Sequence, residues 1–297
     1  MLLSNLPLRP VTEAEVETFW TEGVVCLRGM IPPQWLESLM EPCEWLLSRE
    51  SAGRVDLTKT AEDMRGFAPS VQKNSELKVG HFVVVSDAWK AHPAFRAFAC
   101  DSPLPQIAGR LLRSKKINLY EDSVLVKEPG SKEITAFHQD YPATHAQGMQ
   151  ICTTWIPLDT VTSENGQLQF VKGSHRWKGR FRANYFISDR PADNTEGDIV
   201  PDFHKDPHGH ILLSFDMKPG DITVHHTLTI HGAGPNVSAT RRRRAISVWY
   251  CGDDARYQFK PGGDQSPRKP HHSAVQEGTV LDHEGCPVVW RAAQESV

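Results

Sequence analysis

Two short segments of the chain carry residue types that can share a metal ion. The first is Phe137-His138-Gln139-Asp140. On a strand, side chains two apart point to the same face, so the His138 imidazole and the Asp140 carboxylate would converge while Phe137 and Gln139 turn away. The second is Thr229-Ile230-His231-Gly232-Ala233-Gly234-Pro235-Asn236, where His231 closes an apolar strand just before a glycine turn. Two histidines and one carboxylate on one face form the arrangement that suits ferrous iron and leaves coordination positions open for a co-substrate and dioxygen. Each piece alone has a bland reading, because His-x-Asp arises easily by chance in a chain with 14 histidines. Together, each at a strand end in a turn-rich region, they make His138, Asp140 and His231 the candidate metal-binding and catalytic residues.

Downstream lies Arg241-Arg242-Arg243-Arg244-Ala245-Ile246-Ser247-Val248-Trp249-Tyr250. Four consecutive arginines are usually solvated, or form a nucleic-acid patch. This run, however, leads directly into an apolar strand, on which only one parity class faces inward. A buried guanidinium needs an anion, and a carboxylate held by two parallel hydrogen bonds meets that need. Beside ferrous iron that anion would be the distal carboxylate of 2-oxoglutarate. Arg241 and Arg243 share one parity.

The elements that must position these groups change character along the chain. Residues 1–117 read as a mainly helical support. Thr12-x-x-Glu15 is a capping-box signal for a helix ended by Gly23, and Val24–Leu27 is a short strand. Pro32-Pro33 opens a second helix with Trp35, Leu36, Leu39 and Met40 on one stripe. Residues 78–85 read as strand and 94–112 as interrupted helix. From 118 onward short strands alternate with turns: 118–127, 134–140, 150–157, 167–171, 211–215, 221–225 and 243–250. Glu164-Asn165-Gly166 and Pro219-Gly220-Asp221 are among the separators. Such punctuation predicts a barrel or two-sheet jelly roll over 118–254. Residues 178–210, polar and irregular, read as a lid or insert, and 255–297 as a C-terminal extension of one domain spanning 1–297.

Composition sets outer limits. Lys plus Arg is 33 and Asp plus Glu is 36, a net charge of −3, which argues against a dedicated nucleic-acid binder. The 6 cysteines are scattered without a C-x-x-C pair, so zinc-ribbon and thioredoxin-like readings fall away. The N-terminus lacks a secretory pattern and no apolar run is long enough to span a bilayer. The expectation is a soluble cytoplasmic protein with reduced thiols, with no membrane or nucleic-acid partner and an oligomeric state left open.

The ordered segments Leu125-Val126-Lys127-Glu128-Pro129-Gly130-Ser131, Phe137-His138-Gln139-Asp140, Trp155-Ile156-Pro157-Leu158-Asp159, Glu164-Asn165-Gly166, Lys172-Gly173-Ser174-His175, His231-Gly232-Ala233-Gly234-Pro235-Asn236 and Arg243-Arg244-Ala245-Ile246-Ser247 resemble the phytanoyl-CoA dioxygenase family of iron- and 2-oxoglutarate-dependent oxygenases. The resemblance covers roughly 118–254. It implies a mainly β fold with flanking helices around a double-stranded β-helix (jelly roll, cupin-like) core. It places the metal ligands on His138, Asp140 and His231, the co-substrate arginine on Arg243 with Arg241 as the register alternative, and an aromatic wall of the co-substrate pocket on Trp155. Fe(II), 2-oxoglutarate and dioxygen follow as cofactor and co-substrates, with ascorbate as an optional reductant. A small-molecule metabolite would be hydroxylated or otherwise oxidised, with release of succinate and CO2. Asp140 favours hydroxylation over halogenation. The family's usual His-Gly-Ser serine is Ala233 here, so its hydrogen bond to the co-substrate is missing or comes from another group. The alternative is a non-catalytic metal-binding cupin-like protein.

Further residues have weaker signals. Lys127 and Leu125 share a parity and face either the co-substrate or the core. His225 and His226 stand before His231, one of them a partner of the site and the default being packing. His175, Tyr141 and His145 border the motifs. His204, His208 and His210 lie in the lid, and His271-His272 read as surface.

Overall fold

A computed structural model describes residues 3–50, 53–60, 80–193, 195–260 and 275–293. Helix α1, Glu13–Glu22, starts at the predicted capping box: the Thr12 hydroxyl accepts from the Glu15 amide at 3.3 Å and the Glu15 carboxylate accepts from the Thr12 amide at 2.8 Å. Gly23 ends it in the left-handed conformation, φ 83°, which favours a residue without a Cβ. Strand β1, Val24–Leu27, follows, then α2, Pro33–Leu47, β2, Arg54–Asp56, and β3, Phe82–Ser86. Three further helices are α3, Ala88–Ala91, α4, Pro93–Asp101, and α5, Leu104–Leu112.

The β region begins with β4, Lys116–Lys127, β5, Thr135–His138, β6, Ala146–Gln147, β7, Ile151–Pro157, and β8, Leu168–Val171. It continues with β9, Leu212–Ser214, β10, Ile222–His226, β11, His231–Ala233, β12, Arg243–Cys251, β13, Arg256–Tyr257, and β14, Val288–Arg291. The larger sheet runs β1-β10-β7-β12-β4-β3-β2, with β14 also pairing β4, and the smaller runs β5-β11-β8-β9. All of these pairs are antiparallel. The result is the two-sheet jelly roll expected.

Strand alternation explains how the larger sheet can be buried on both faces. Val124 and Val126 of β4, Cys152 and Ile156 of β7, Val224 of β10 and Ile246 and Val248 of β12 form one core with the helices' Phe19, Trp35, Leu39, Phe98 and Leu111. Burying each such side chain contributes roughly 1.5–3 kcal/mol. The opposite parity, from Ser123, Trp155, His225 and Ser247, turns into the space between the sheets. Helices thus brace the back of the larger sheet and leave its front to line a cavity. The first three strands, N-terminal to 118, join that same sheet at both of its ends. Residues 78, 79, 271 and 272, part of the strand and surface expectations, lie outside the described residues.

The described residues 178–193 and 195–210 are irregular and hold local bridges such as Phe181 to Asp198. Val200 and Phe203 anchor them on Phe137, Val171 and Ile230 of the smaller sheet. Among the described residues no helix is long and apolar enough to cross a membrane.

Candidate active site

β5 and β11 pair so that His138 and His231 stand directly opposite each other, with ring centroids 4.3 Å apart. Asp140 is brought in differently from the expectation. The strand stops at His138, and Asp140 adopts helical backbone angles, φ −71° and ψ −29°, at the start of a single 3-10 turn, Tyr141–Ala143. The turn, and not strand parity, carries the carboxylate to the imidazoles. His231 likewise opens β11 and does not close the preceding strand, which ends at His226. Asp140 Oδ1 lies 3.6 Å from His138 Nε2 and 3.7 Å from His231 Nε2, and one ligand atom from each residue falls within 4.8 Å of the others.

The surroundings prepare these atoms for a cation. His138 Nδ1 is 2.8 Å from the Ala136 carbonyl and His231 Nδ1 is 3.0 Å from the Thr229 carbonyl. A carbonyl only accepts, so each Nδ1 carries the proton and each Nε2 presents a lone pair. Asp140 Oδ2 accepts from the Thr153 hydroxyl at 2.6 Å and lies 3.2 Å from His225 Nε2, leaving Oδ1 toward the two histidines. Burial opposes ionisation of Asp140, but His231, His138 and His225 together hold it well below the usual carboxylate range. Burial, reinforced by His225, pushes His231 well below its ordinary value and keeps it neutral, the form that binds metal. Two neutral imidazoles and one carboxylate fit ferrous iron.

The three residues line a cavity of about 290 Å³ whose wall also includes Trp155, Leu125 and Arg243. Of the four consecutive arginines, Arg243 alone is turned inward, 2% exposed. Arg241 pairs with Glu164, Arg242 with Glu44 and Glu128, and Arg244 with Asp159 and Glu44, so the outward members are matched by acids. Arg243 has its guanidinium 5.7 Å over Trp155 and 5.9 Å over Phe82. Its Nε is buried with no hydrogen-bond partner among the described residues. Burial lowers it to about 10, with Asp159 opposing, and it stays charged at neutral pH. Lys127, fully buried and directly opposite Arg243 in the ladder, donates to the Gly234 carbonyl at 2.6 Å. Burial, then the Arg243 charge, push its ammonium well below the usual value. Gly166, φ 86°, leaves room here: a Cβ would come within 3.0 Å of the Lys127 chain and 3.5 Å of an Arg243 nitrogen.

Other candidates sit elsewhere. His226 faces α1, bonds the Met149 carbonyl at 2.8 Å and is lowered by burial to about 4. His175 bonds the Trp20 carbonyl and His204 the Thr135 carbonyl. His208 and His210 pack on Phe203, His145 on Phe259, and the Tyr141 hydroxyl meets Gln258. Sequence reasoning missed Thr153, which holds Asp140, and Phe186, at φ 54° in the irregular segment after β8, which lies edge-on to His138 at 5.2 Å. Neither has a local signal, since each acquires its neighbour only through tertiary pairing. Thr135, directly opposite Ala233 in the ladder, also reaches the cavity.

With this geometry in place, the chain's relatives are informative. A protein of Stutzerimonas stutzeri named "Probable alpha-ketoglutarate-dependent hypophosphite dioxygenase" is 29% identical over 155 residues, 48% of this chain and 47% of that protein, so that match spans about half of each. The 1-deoxypentalenic acid 11-beta-hydroxylase of Streptomyces exfoliatus is 24% identical over 243 residues, 82% of this chain and 81% of that one. The crystal structure of SnoK, a non-haem alpha-ketoglutarate-dependent carbocyclase from nogalamycin biosynthesis, superposes with a TM-score of 0.68 at 25% identity, covering 94% of this chain and 97% of SnoK. The phytanoyl-CoA dioxygenase (PhyH) family model matches residues 19–245. The chain therefore belongs to the phytanoyl-CoA dioxygenase family and is a non-haem iron- and 2-oxoglutarate-dependent oxygenase.

Proposed function

We propose that His138, Asp140 and His231 hold the ferrous ion, that Arg243 anchors the distal carboxylate of 2-oxoglutarate against the Trp155 wall, and that the single unit 1–297 oxidises a small-molecule metabolite. One observation carries this reading: a charged, buried guanidinium with an unmatched N–H shares a cavity with a buried two-histidine, one-carboxylate set. A dicarboxylate spanning the two satisfies both ends.

Iron with 2-oxoglutarate, when bound, supplies the oxidising power that attacks an unactivated C–H bond, with succinate and CO2 as by-products. The protein's part is orientation. The Ala136 and Thr229 carbonyls fix both imidazole tautomers. Thr153 and His225 occupy one oxygen of Asp140, so the other is offered singly to the metal. Lys127 packs beside Arg243 across the ladder and is tied to the Gly234 carbonyl, and the Thr135 hydroxyl, across the ladder from Ala233, would supply the hydrogen bond that an alanine cannot make. Phe186 lines the cavity edge-on to His138 and adds apolar wall there. The carboxylate ligand supports hydroxylation as the outcome. The 1-deoxypentalenic acid hydroxylase supports a small metabolite as substrate. Six unpaired cysteines support a cytoplasmic setting.

Anaerobic titration with Fe(II) and 2-oxoglutarate tests the assignment. The native protein is expected to develop the weak visible charge-transfer band. His138→Ala or Asp140→Ala should lose iron binding. Arg243→Gln should keep iron and weaken 2-oxoglutarate at least tenfold. Iron affinity unchanged in both triad variants would refute the ligand set.

A further inference from the structure

Cross-strand partners share a face, so the front of the larger sheet is laid out in rows. Phe82, Lys127 and Arg243 form one row, around the guanidinium that meets 2-oxoglutarate. Two residues along each strand the row is apolar: Val55 of β2, Val84 of β3 and Leu125 of β4. Two residues further it is a band of hydroxyls, with Ser86 of β3, Ser123 of β4 and Ser247 of β12 side by side, and Trp155 of β7 next to Ser247. The apolar row and the hydroxyl band both line the cavity.

These two rows are what the cavity has left for a substrate. His138, Asp140 and His231 are assigned to the metal, with His225 on Asp140, and Arg243 to 2-oxoglutarate. Glu121, the other acid in the wall, already has an interaction within the protein. Among the described residues lining the cavity, no further ionisable side chain remains to match a charge on the guest. Burying an unmatched charge costs far more than burying a neutral group, so the wall selects against ions of either sign.

The same rows set where the guest lies. β3 and β2 are the third and fourth strands from β7, whose Thr153 holds Asp140, or about 14 and 19 Å away at the usual strand spacing. Val55 is 40% exposed while lining the cavity, which puts the mouth at the β2 edge. A molecule between that mouth and the metal rests on β3 and β4. There the Ser123 hydroxyl donates to that of Ser86 at 3.5 Å, a long contact that leaves both able to bond a guest oxygen more closely.

We propose that β2, β3 and β4 form the substrate platform, and that the substrate is an uncharged, largely apolar small molecule whose hydroxyl is held by Ser86 and Ser123. This rests on the triad and Arg243 assignment, which gives the charged groups of the cavity to iron and 2-oxoglutarate.

The test uses three matched probes: 1-octanol, octylamine and octanoate. Their binding to the full-length protein, loaded with Fe(II) and 2-oxoglutarate without oxygen, is read by calorimetry, and the charge-transfer band reports the loading. The alcohol should bind at least about tenfold more tightly than either ion. Ser86→Ala and Ser123→Ala should each weaken the alcohol roughly three- to tenfold with the band unchanged, and Ser123→Thr should retain its affinity. An alcohol that binds no better than the amine or octanoate, including one that does not bind at millimolar concentration, overturns the proposal. So does an alcohol affinity that survives both alanine substitutions. Absence of the band in the native protein would instead strike at the iron assignment, and the alcohol's affinities for iron-free native and Ser123→Ala protein are scored separately from it.

Discussion

Asp140 is held from behind by two neighbours, the Thr153 hydroxyl and His225. Removing one of them should loosen the ligand without removing it. Thr153→Val keeps the shape, deletes the donor, and is expected to weaken iron binding about tenfold while the fold persists, as read by anaerobic Fe(II) titration and circular dichroism. The residue types of the triad were legible because few side chains bind iron and their spacing was suggestive. Thr153 was not legible, since nothing around it in the chain marks a partner on another element. Arg243 stands between these cases. Strand parity said that some arginines of the run must enter the core, and family resemblance chose among them. The reason the other three stay out is visible only in three dimensions: each meets an acid from a distant segment.

Elements were legible where alternation or capping chemistry is strong. The capping box of α1 and the long strands β4, β7 and β12 stand close to their expected bounds. The short pieces were not. His231 looked like the end of a strand because the apolar run before it is continuous, yet the turn at 227–230 splits that run and gives His231 to the other sheet. Strand β14 has no pattern of its own and is defined by its pairing with β4. Since α1 braces the larger sheet from outside the cavity, damage to its cap should cost stability alone. Thr12→Ala is expected to destabilise by about 1 kcal/mol in urea unfolding, with 2-oxoglutarate affinity unchanged.

Across the whole molecule, one ionisable group on the helix side of the larger sheet gives stability a pH dependence. Asp122 of β4 is fully buried against α3, where burial, assisted by Asp87, pushes it up to about 8 despite the amide hydrogen bonds of Trp89 and Ala88. The folded chain thus keeps a proton that the unfolded chain releases near pH 4. The contribution is full at acid pH, declines as pH rises through that window, and levels off above about 8, with a slope of at most about 1.4 kcal/mol per pH unit. Asp122→Asn keeps an acceptor for the Trp89 amide, and its urea midpoint should decline less than the native one between pH 5 and pH 8. Equal declines would show that Asp122 titrates normally. Topology has its own consequence at this scale. Strand β1 is the edge of the larger sheet and its ladder partner is β10, with Val24 opposite His225. During synthesis β1 leaves the ribosome roughly two hundred residues ahead of that partner, so this ladder closes late and slowly. Until then a short, sticky ribbon waits in the open, and a nascent chain stalled before β10 is a natural client for chaperones.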